Sequence, residues 1–342
     1  MNLRELSRQL NLSQTTVSRA LNGYPEVSEQ TRKRVTEAAR RYNYSPNARA
    51  RTLATGRTMS IGHIIPMSKQ NELVNMVFTD FIAGAGLVYA QQGYDMTLRI
   101  VADDGKLAAY RSFAERGAVD GVIVQSPTRD DPRIDYLAAL DIPFLVHGRA
   151  SEITKPYPWL DVNSKRAIET ATRHLIELGH RRIGLVNGHE VMDFASRRRE
   201  GYCAALTAAG LVVDEALTRS GDMSEPNGYE AARDLLAQQD APTAFVASSI
   251  VMALGVKRAV EDRGLRIGRD VSVVCFDDDI SFLPNAGETP LFTAMRSSVR
   301  AAGQRCATLL IERIKAPQAP PPTELWEAEL IRGTSSGPGP FA

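Results

Sequence analysis

Apolar side chains recur at helical spacing in three short bursts at the start of the chain. Leu3, Leu6 and Leu10 share one face of a first helix, which Asn11 ends. Ser13 is placed to cap a second helix over 14–22, with Val17 and Leu21 facing inward, and Asn22-Gly23 followed by Pro25 stops it. Ser28 caps a third over 29–42, with Val35, Ala38, Ala39 and Tyr42 inward. Pro46 pushes Ser45 out of the helical region and marks a linker. The stretch 47–54 reads as one more helix, capped by Asn47 and ended near Gly56, too short to persist alone in water.

From Ser60 the texture changes to short apolar runs between amphipathic helices. IGHIIP, YDMTLRIV, DGVIVQSP and IPFLVHGR alternate with helices at 76–92, 106–116 and 133–140. After WLDVN the rhythm restarts. Helices at 164–178, 196–209, 227–238 and 250–263 separate RRIGLVNG, TAFVASS and VSVVCFDD. Continuous apolar strands between helices predict parallel sheets covered on both faces, and two such runs predict two similar lobes. A ligand then belongs at the carboxyl ends of the strands, in the cleft between lobes. A helix at 299–314 and the strand-like TELWEAELI are expected to cross back between lobes, and GTSSGPGPFA to be a disordered tail.

Composition narrows this picture. With 43% hydrophobic and 24% charged residues, the 342-residue chain has the make-up of a soluble globular protein and the length for a small domain plus a large one. Its start, MNLRELSRQL, does not resemble a signal peptide, and no apolar run is long enough to span a bilayer, so a cytoplasmic protein is expected. Cys203, Cys275 and Cys306 form no CxxC pair and read as core thiols; no metal and no cofactor are expected. The overall charge of +1 conceals an asymmetry. Residues 1–58 hold eleven basic residues against four acidic ones, a net +7, which leaves −6 for the remainder. A basic head attracts phosphates while an acidic body is repelled by them.

At this level the chain resembles the lactose-repressor/galactose-repressor (LacI/GalR) family of bacterial regulators. The stretch LSQTTVSRALNGYPEVSEQTRKRVTEAARRYNYSPNARARTLATGRT is similar to the family's head and hinge. The likeness continues in HLIELGHRRIGLVNG, RREGYCAALTAAGL, GYEAARDLL and DVSVVCFDD. It implies an all-α helix-turn-helix head and an α/β periplasmic-binding-protein-like core of two lobes with parallel sheets. The expected divisions are a DNA-binding domain at 1–45, a hinge helix at 46–57 and a ligand-sensing core at 58–332. The first lobe would take about 58–158 and 290–318, the second about 159–289 and 319–332, with 333–342 as the tail.

The resemblance also assigns roles. A recognition helix presents its N-terminal residues to base edges in the major groove. Gln14, Thr15 and Arg19 are the base-contact candidates, matching glutamine to adenine, threonine to a thymine methyl and arginine to guanine. Thr16, Ser18 and Asn22 are expected on phosphates or as caps. In the hinge, Asn47 matches a cap and phosphate contact, Ala50 a small residue where two hinges meet, and Leu53 a wedge prying a base step apart in the minor groove. The partners implied are double-stranded operator DNA, a small effector that is a sugar, and a second copy of the chain in a dimer, with no membrane.

Sugars carry many hydroxyls and little charge, so planar polar side chains beside an apolar wall suit them. Arg198, three residues before Gly201, matches the family's cleft arginine; Asp277, in Phe276-Asp277-Asp278, matches a strand-end acceptor. His147 and Ser249 sit where relatives carry an acid and Asn, and Met223 where some carry an aromatic. Phe78 and the loop 68–75 lie at the first-lobe entrance, without the usual Asn-Pro-Phe-Phe pattern. The HGR ending and Met67-Ser68 look like α-glucoside-type regulators. Two other classes compete: an exported sugar-binding protein, which would lack the basic head, and a sugar-converting enzyme. The sequence contains no GxSxG, HExxH or GxxxxGK[ST], and no GxGxxG after its first core strand. The reading is therefore a repressor of sugar-utilisation genes, not an enzyme.

Overall fold

The computed structural model describes residues 1–21, 24–44, 56–66, 76–102 and 105–340. Asn22, the hinge residues Asn47, Ala50 and Leu53, and the entrance loop 68–75 lie outside them. The chain divides into two compact units, Met1–Met59 and Ser60–Ala342.

In the first unit the leucine spacing sets the helices. α1 (Leu3–Leu10) opens with a capping box: the Glu5 amide donates to Asn2 Oδ1 at 2.9 Å, and the Asn2 amide to Glu5 Oε2 at 3.0 Å. It closes where Asn11 turns left-handed at φ 51°. In α2 (Gln14–Leu21) the Thr16 amide donates to Ser13 Oγ at 3.0 Å, the expected cap. Ser28 caps α3 (Glu29–Arg41) by accepting from the Thr31 amide. Leu6, Leu10, Val17, Ala20, Val27, Val35 and Ala39 form the core. Leu21 is only partly buried, and Tyr42 lies past the helix end and is exposed. The third helix thus ends one residue before the expected Tyr42, whose ring is not part of the inward stripe. Arg34 Nη2 donates to the Leu10 carbonyl at 2.8 Å, which satisfies one of the free carbonyls at the end of α1.

The second unit holds two six-stranded sheets. In the first, the order is β11-β5-β4-β3-β1-β2. Its strands are β1 (Ser60–Pro66), β2 (Asp95–Val101), β3 (Gly121–Gln125), β4 (Phe144–His147), β5 (Trp159–Val162) and β11 (Thr323–Trp326). All its pairings are parallel. In the second, the order is β12-β10-β9-β8-β6-β7. Its strands are β6 (Ile183–Gly188), β7 (Thr218–Gly221), β8 (Ala244–Ala247), β9 (Ser272–Asp277), β10 (Thr293–Arg296) and β12 (Glu329–Ile331), of which only β12 runs antiparallel. α4 (Met76–Gln92), α5 (Lys106–Glu115), α6 (Pro132–Ala139) and α11 (Val299–Lys315) belong with the first sheet; α7 (Ser164–Glu177), α8 (Asp193–Ala208), α9 (Glu225–Leu236) and α10 (Ile250–Glu261) belong with the second. Residues β6, β8 and β9 are buried throughout, which is why those strands read as unbroken apolar runs.

Helices pair tightly through glycine. A Cβ on Gly84 would stand 2.1 Å from the Arg300 carbonyl oxygen, and one on Gly303 2.2 Å from that of Phe81, so α4 and α11 touch backbone to backbone.

Three expectations need correction. Trp159–Val162 pairs with β4 and β11, so the chain leaves the first lobe after Val162, not after 158. Thr293–Arg296 pairs with β9, and Thr323–Trp326 with β5, so the later changes of lobe fall at 297–298 and 327–328, not at 290 and 318. Finally, residues 333–340 are tied down. The Val273 amide donates to the Ser335 carbonyl at 2.7 Å, Ser335 Oγ donates to the Val273 carbonyl, and the Gly339 amide to the Leu178 carbonyl at 2.6 Å. Ser335 is fully buried. Gly, Pro and Ser in this segment serve close backbone packing, and composition had concealed it.

Candidate nucleic-acid interface and ligand cleft

α2 buries Val17 and Ala20 and leaves Gln14, Thr15 and Arg19 exposed, because the helical period puts them on opposite faces. Thr16 and Ser18 are partly buried. Thr15, Thr16 and Arg19 line an open depression of about 390 Å³ with Ser13, Ser28 and Thr31. The capped starts of α2 and α3 thus face the same hollow, where helix dipoles favour negative charge. Arg19 supplies a full cation to its lining, and Glu26 a carboxylate that opposes it.

In the core, α8 carries Arg198, the residue expected to meet a ligand. The residue is 5% exposed. Its guanidinium lies 4.2 Å from the Phe276 ring centre and 5.0 Å from that of Phe194, and Nη1 donates to the Ser248 carbonyl at 2.5 Å. Its Nε is sealed from solvent and has no hydrogen-bond partner among the described residues. Burial pushes its pKa down to about 10, against the attraction of Asp278. Asp278 is the matching acid. Its Oδ2 is likewise sealed and unpartnered among the described residues, and burial pushes its carboxyl up to about 6 against the pull of Arg198. A donor and an acceptor atom thus stand unsatisfied among the described residues, an arrangement that costs free energy until something bonds them.

Asp277 is not in this group. Its Oδ1 accepts from the Asp279 amide at 2.8 Å, and it is 2% exposed, so it caps the turn after β9. Ser249 is also a cap: its Oγ accepts from the Met252 amide at 3.2 Å at the start of α10. Met223 is partly buried; a Cβ on Gly188 would lie 3.3 Å from its Sδ and 3.5 Å from Phe194, so these three form one wall. His147, at the end of β4, stacks on Phe81 with ring centres 4.6 Å apart. Burial lowers its pKa to about 4, so it is neutral near pH 7, with Asp161 close enough to oppose the shift. Phe78 is half-buried in the first turn of α4, one turn before Phe81. Sequence reasoning missed Phe81, Phe194 and Asp278. Phe194 stands four residues before Arg198, a spacing that stacks two side chains on a helix, and that signal was available.

Cys275 and Cys306 are buried and Cys203 is half-buried, all three as free thiols. Among the described residues there is no cluster of acids, histidines and cysteines that could hold a metal, and no helix long and apolar enough to cross a membrane.

Comparison with known proteins agrees with both halves. Residues 2–47 match the model for bacterial regulatory proteins of the lacI family, and residues 172–336 that for a periplasmic binding protein-like domain. Over 99% of its length the chain is 43% identical to the HTH-type transcriptional regulator AglR of Rhizobium meliloti (strain 1021), spanning 95% of that protein. The chain belongs to the LacI family of bacterial regulatory proteins. As a LacI-family member it is also 32% identical to the HTH-type transcriptional regulator CelR of Thermobifida fusca, over 92% of both chains. Two solved family structures superpose on nearly all of it. The lac repressor dimer bound to operator and the anti-inducer ONPF gives a TM-score of 0.83 at 25% identity, covering 98% of this chain and 99% of that one. The CelR–cellobiose complex gives 0.73 at 28%, with the same coverage. The expected family and fold class are thereby established, and with them a DNA-binding transcriptional regulator.

Proposed function

We propose that this regulator is a cytoplasmic repressor of sugar-utilisation genes, acting as a dimer without catalysis, whose operator affinity falls when a sugar of the α-glucoside class enters its core cleft. The observation that carries this reading is the pair of sealed atoms without a partner among the described residues, Arg198 Nε and Asp278 Oδ2, with the Arg198 guanidinium held over the Phe194 and Phe276 rings. A sugar ring offers what that pair lacks: adjacent hydroxyls that both donate and accept, and a C–H face for the aromatic wall. The neutral His147 on the first lobe adds one donor and one acceptor without adding charge. The relative solved with cellobiose supports a sugar ligand.

Gln14, Thr15 and Arg19 read base edges in this proposal. Thr16 and Ser18 hold phosphate, and Asn22, Asn47, Ala50 and Leu53 keep the backbone and hinge roles that the family resemblance implies. Sugar binding selects a lobe arrangement in which the two hinges of a dimer no longer sit together on the minor groove. The test is calorimetric titration of the full chain with maltose, sucrose and cellobiose, followed by gel shifts on the promoter DNA beside its gene. Binding of an α-glucoside that releases the DNA is the expected result. Sugar binding with no change in DNA affinity would refute the switch.

A further inference from the structure

The first turns of α8 carry two pairs at helical spacing, one residue out of step. Phe194 and Arg198 form the cleft pair described above. Asp193 and Arg197 form the second, and they face the first lobe instead of the cleft. Arg197 Nε donates to Asp193 Oδ2 at 2.5 Å, and its Nη2 to Asp161 Oδ1 at 3.1 Å. Its Nη1 lies 2.8 Å from Asp161 Oδ2. Asp161 belongs to β5 of the first sheet and also accepts from Arg149 Nε at 2.8 Å. Asp193 Oδ1 accepts the Ser151 amide at 2.9 Å, and the Asp193 amide donates to the Pro127 carbonyl at 3.0 Å. Arg197, Asp161 and Asp193 are all at least nine-tenths buried. Burial alone would weaken the Arg197 charge, yet its two acids hold its pKa above the ordinary arginine value.

Such a chain of charges, taken out of water, is satisfied only at one separation of the lobes, because each acid contacts both Arg197 and a first-lobe group. It lies one residue from the side chain that meets the ligand. Because Arg197 and Arg198 share one rigid turn of helix, a lobe shift that breaks the Asp161 or Ser151 contact changes where Arg198 stands relative to the first lobe.

We propose that Arg197, clasped between Asp161 and Asp193, is the positioning residue of the ligand cleft: it sets the lobe angle at which Arg198 engages the sugar and passes ligand occupancy into the first lobe. This rests on the sugar reading above, and the experiment keeps the two apart. Asp161→Asn, Asp193→Ala and Arg197→Lys are made in the full chain, the lysine variant retaining the charge but not the fork. Maltose and sucrose affinity is measured with and without operator DNA, and amide exchange at residues 149–152 is measured without sugar. Faster exchange at Ser151 in Asp193→Ala is expected, together with sugar affinity lowered on the order of tenfold and a sugar effect on operator affinity shrunk by a similar factor. Operator affinity of the sugar-free variants should stay near wild type.

Unchanged Ser151 exchange, or unchanged sugar affinity and coupling in folded variants, would overturn the proposal, since a merely structural pair would leave sugar affinity and coupling as they are. If Asp193→Ala does not fold, Arg197→Lys decides, with an intermediate loss expected and full wild-type coupling contradicting the proposal. If the wild type binds no probe sugar, the sugar reading falls and the positioning role with it, while faster Ser151 exchange in Asp193→Ala still shows the contact between lobes.

Discussion

The head and the core place their working residues oppositely with respect to their own interiors. The head's core is seven apolar side chains, and its base-contact candidates Gln14, Thr15 and Arg19 stand on the far face of α2. The proposed ligand residues Arg198, Phe276 and Asp278 Oδ2 instead lie inside the second lobe, where each is surrounded by protein. A surface that must exchange partners with water and phosphate is built on the outside of a small fold. A pocket that must hold a neutral, hydroxyl-rich ligand strips water from its polar groups in advance. The head can therefore change its reading residues at little cost to folding, whereas the cleft cannot.

Arg198→Ala should show the coupling of function and stability most strongly. It removes a cation from above two aromatic rings and strands the Ser248 carbonyl. A stability loss of about 1–3 kcal/mol in denaturant melts is expected, with sugar response abolished. Wild-type stability would break the contrast. Arg19→Ala is its counterpart. Operator affinity should fall by about 1–3 kcal/mol in salt-matched gel shifts. Stability should move by no more than about 0.5 kcal/mol. A destabilised head would mean that Arg19 supports the fold.

The acid at the cleft sharpens the contrast through pH. Burial raises the Asp278 carboxyl to about 6, above its unfolded value, so the folded state holds a proton there that the unfolded state releases at lower pH. Asp278 thus favours folding least once pH has risen through 6, and its contribution is lost between the unfolded carboxylate range and that point. Sugar hydroxyls donating to it prefer the ionised form. Sugar affinity should fall as pH drops below about 6, by up to roughly tenfold per unit, and flatten in Asp278→Asn. His147 stays neutral across this range. A slope unchanged in the variant would assign the effect to another group. The smallest effect is Asn2→Ala, which removes half of a capping box and should cost the head about 1 kcal/mol while sugar binding is untouched.

How much of this was legible follows the same division. The head's helices were readable because leucine spacing and serine caps are local signals. β6, β8 and β9 were readable as apolar runs. β7, an edge strand of Thr218–Gly221, and β10, in a stretch of mixed polarity, carried no such run and were not expected. Which aspartate faces Arg198 depends on where β9 ends, since successive side chains alternate faces; one residue of register separates Asp277, a turn cap, from Asp278, the acid that Arg198 attracts. The C-terminal segment was misread because its anchoring is through backbone groups and Ser335, and hydrogen bonds leave no hydrophobic pattern.

One titration tests the switch directly: the full chain against its promoter DNA at fixed salt, with and without a saturating α-glucoside, in wild type and Arg198→Ala. The account predicts that sugar weakens wild-type DNA binding on the order of tenfold or more, and leaves Arg198→Ala bound as tightly as before. Equal wild-type affinity with and without sugar, or an Arg198→Ala protein that releases DNA as the wild type does, would contradict it.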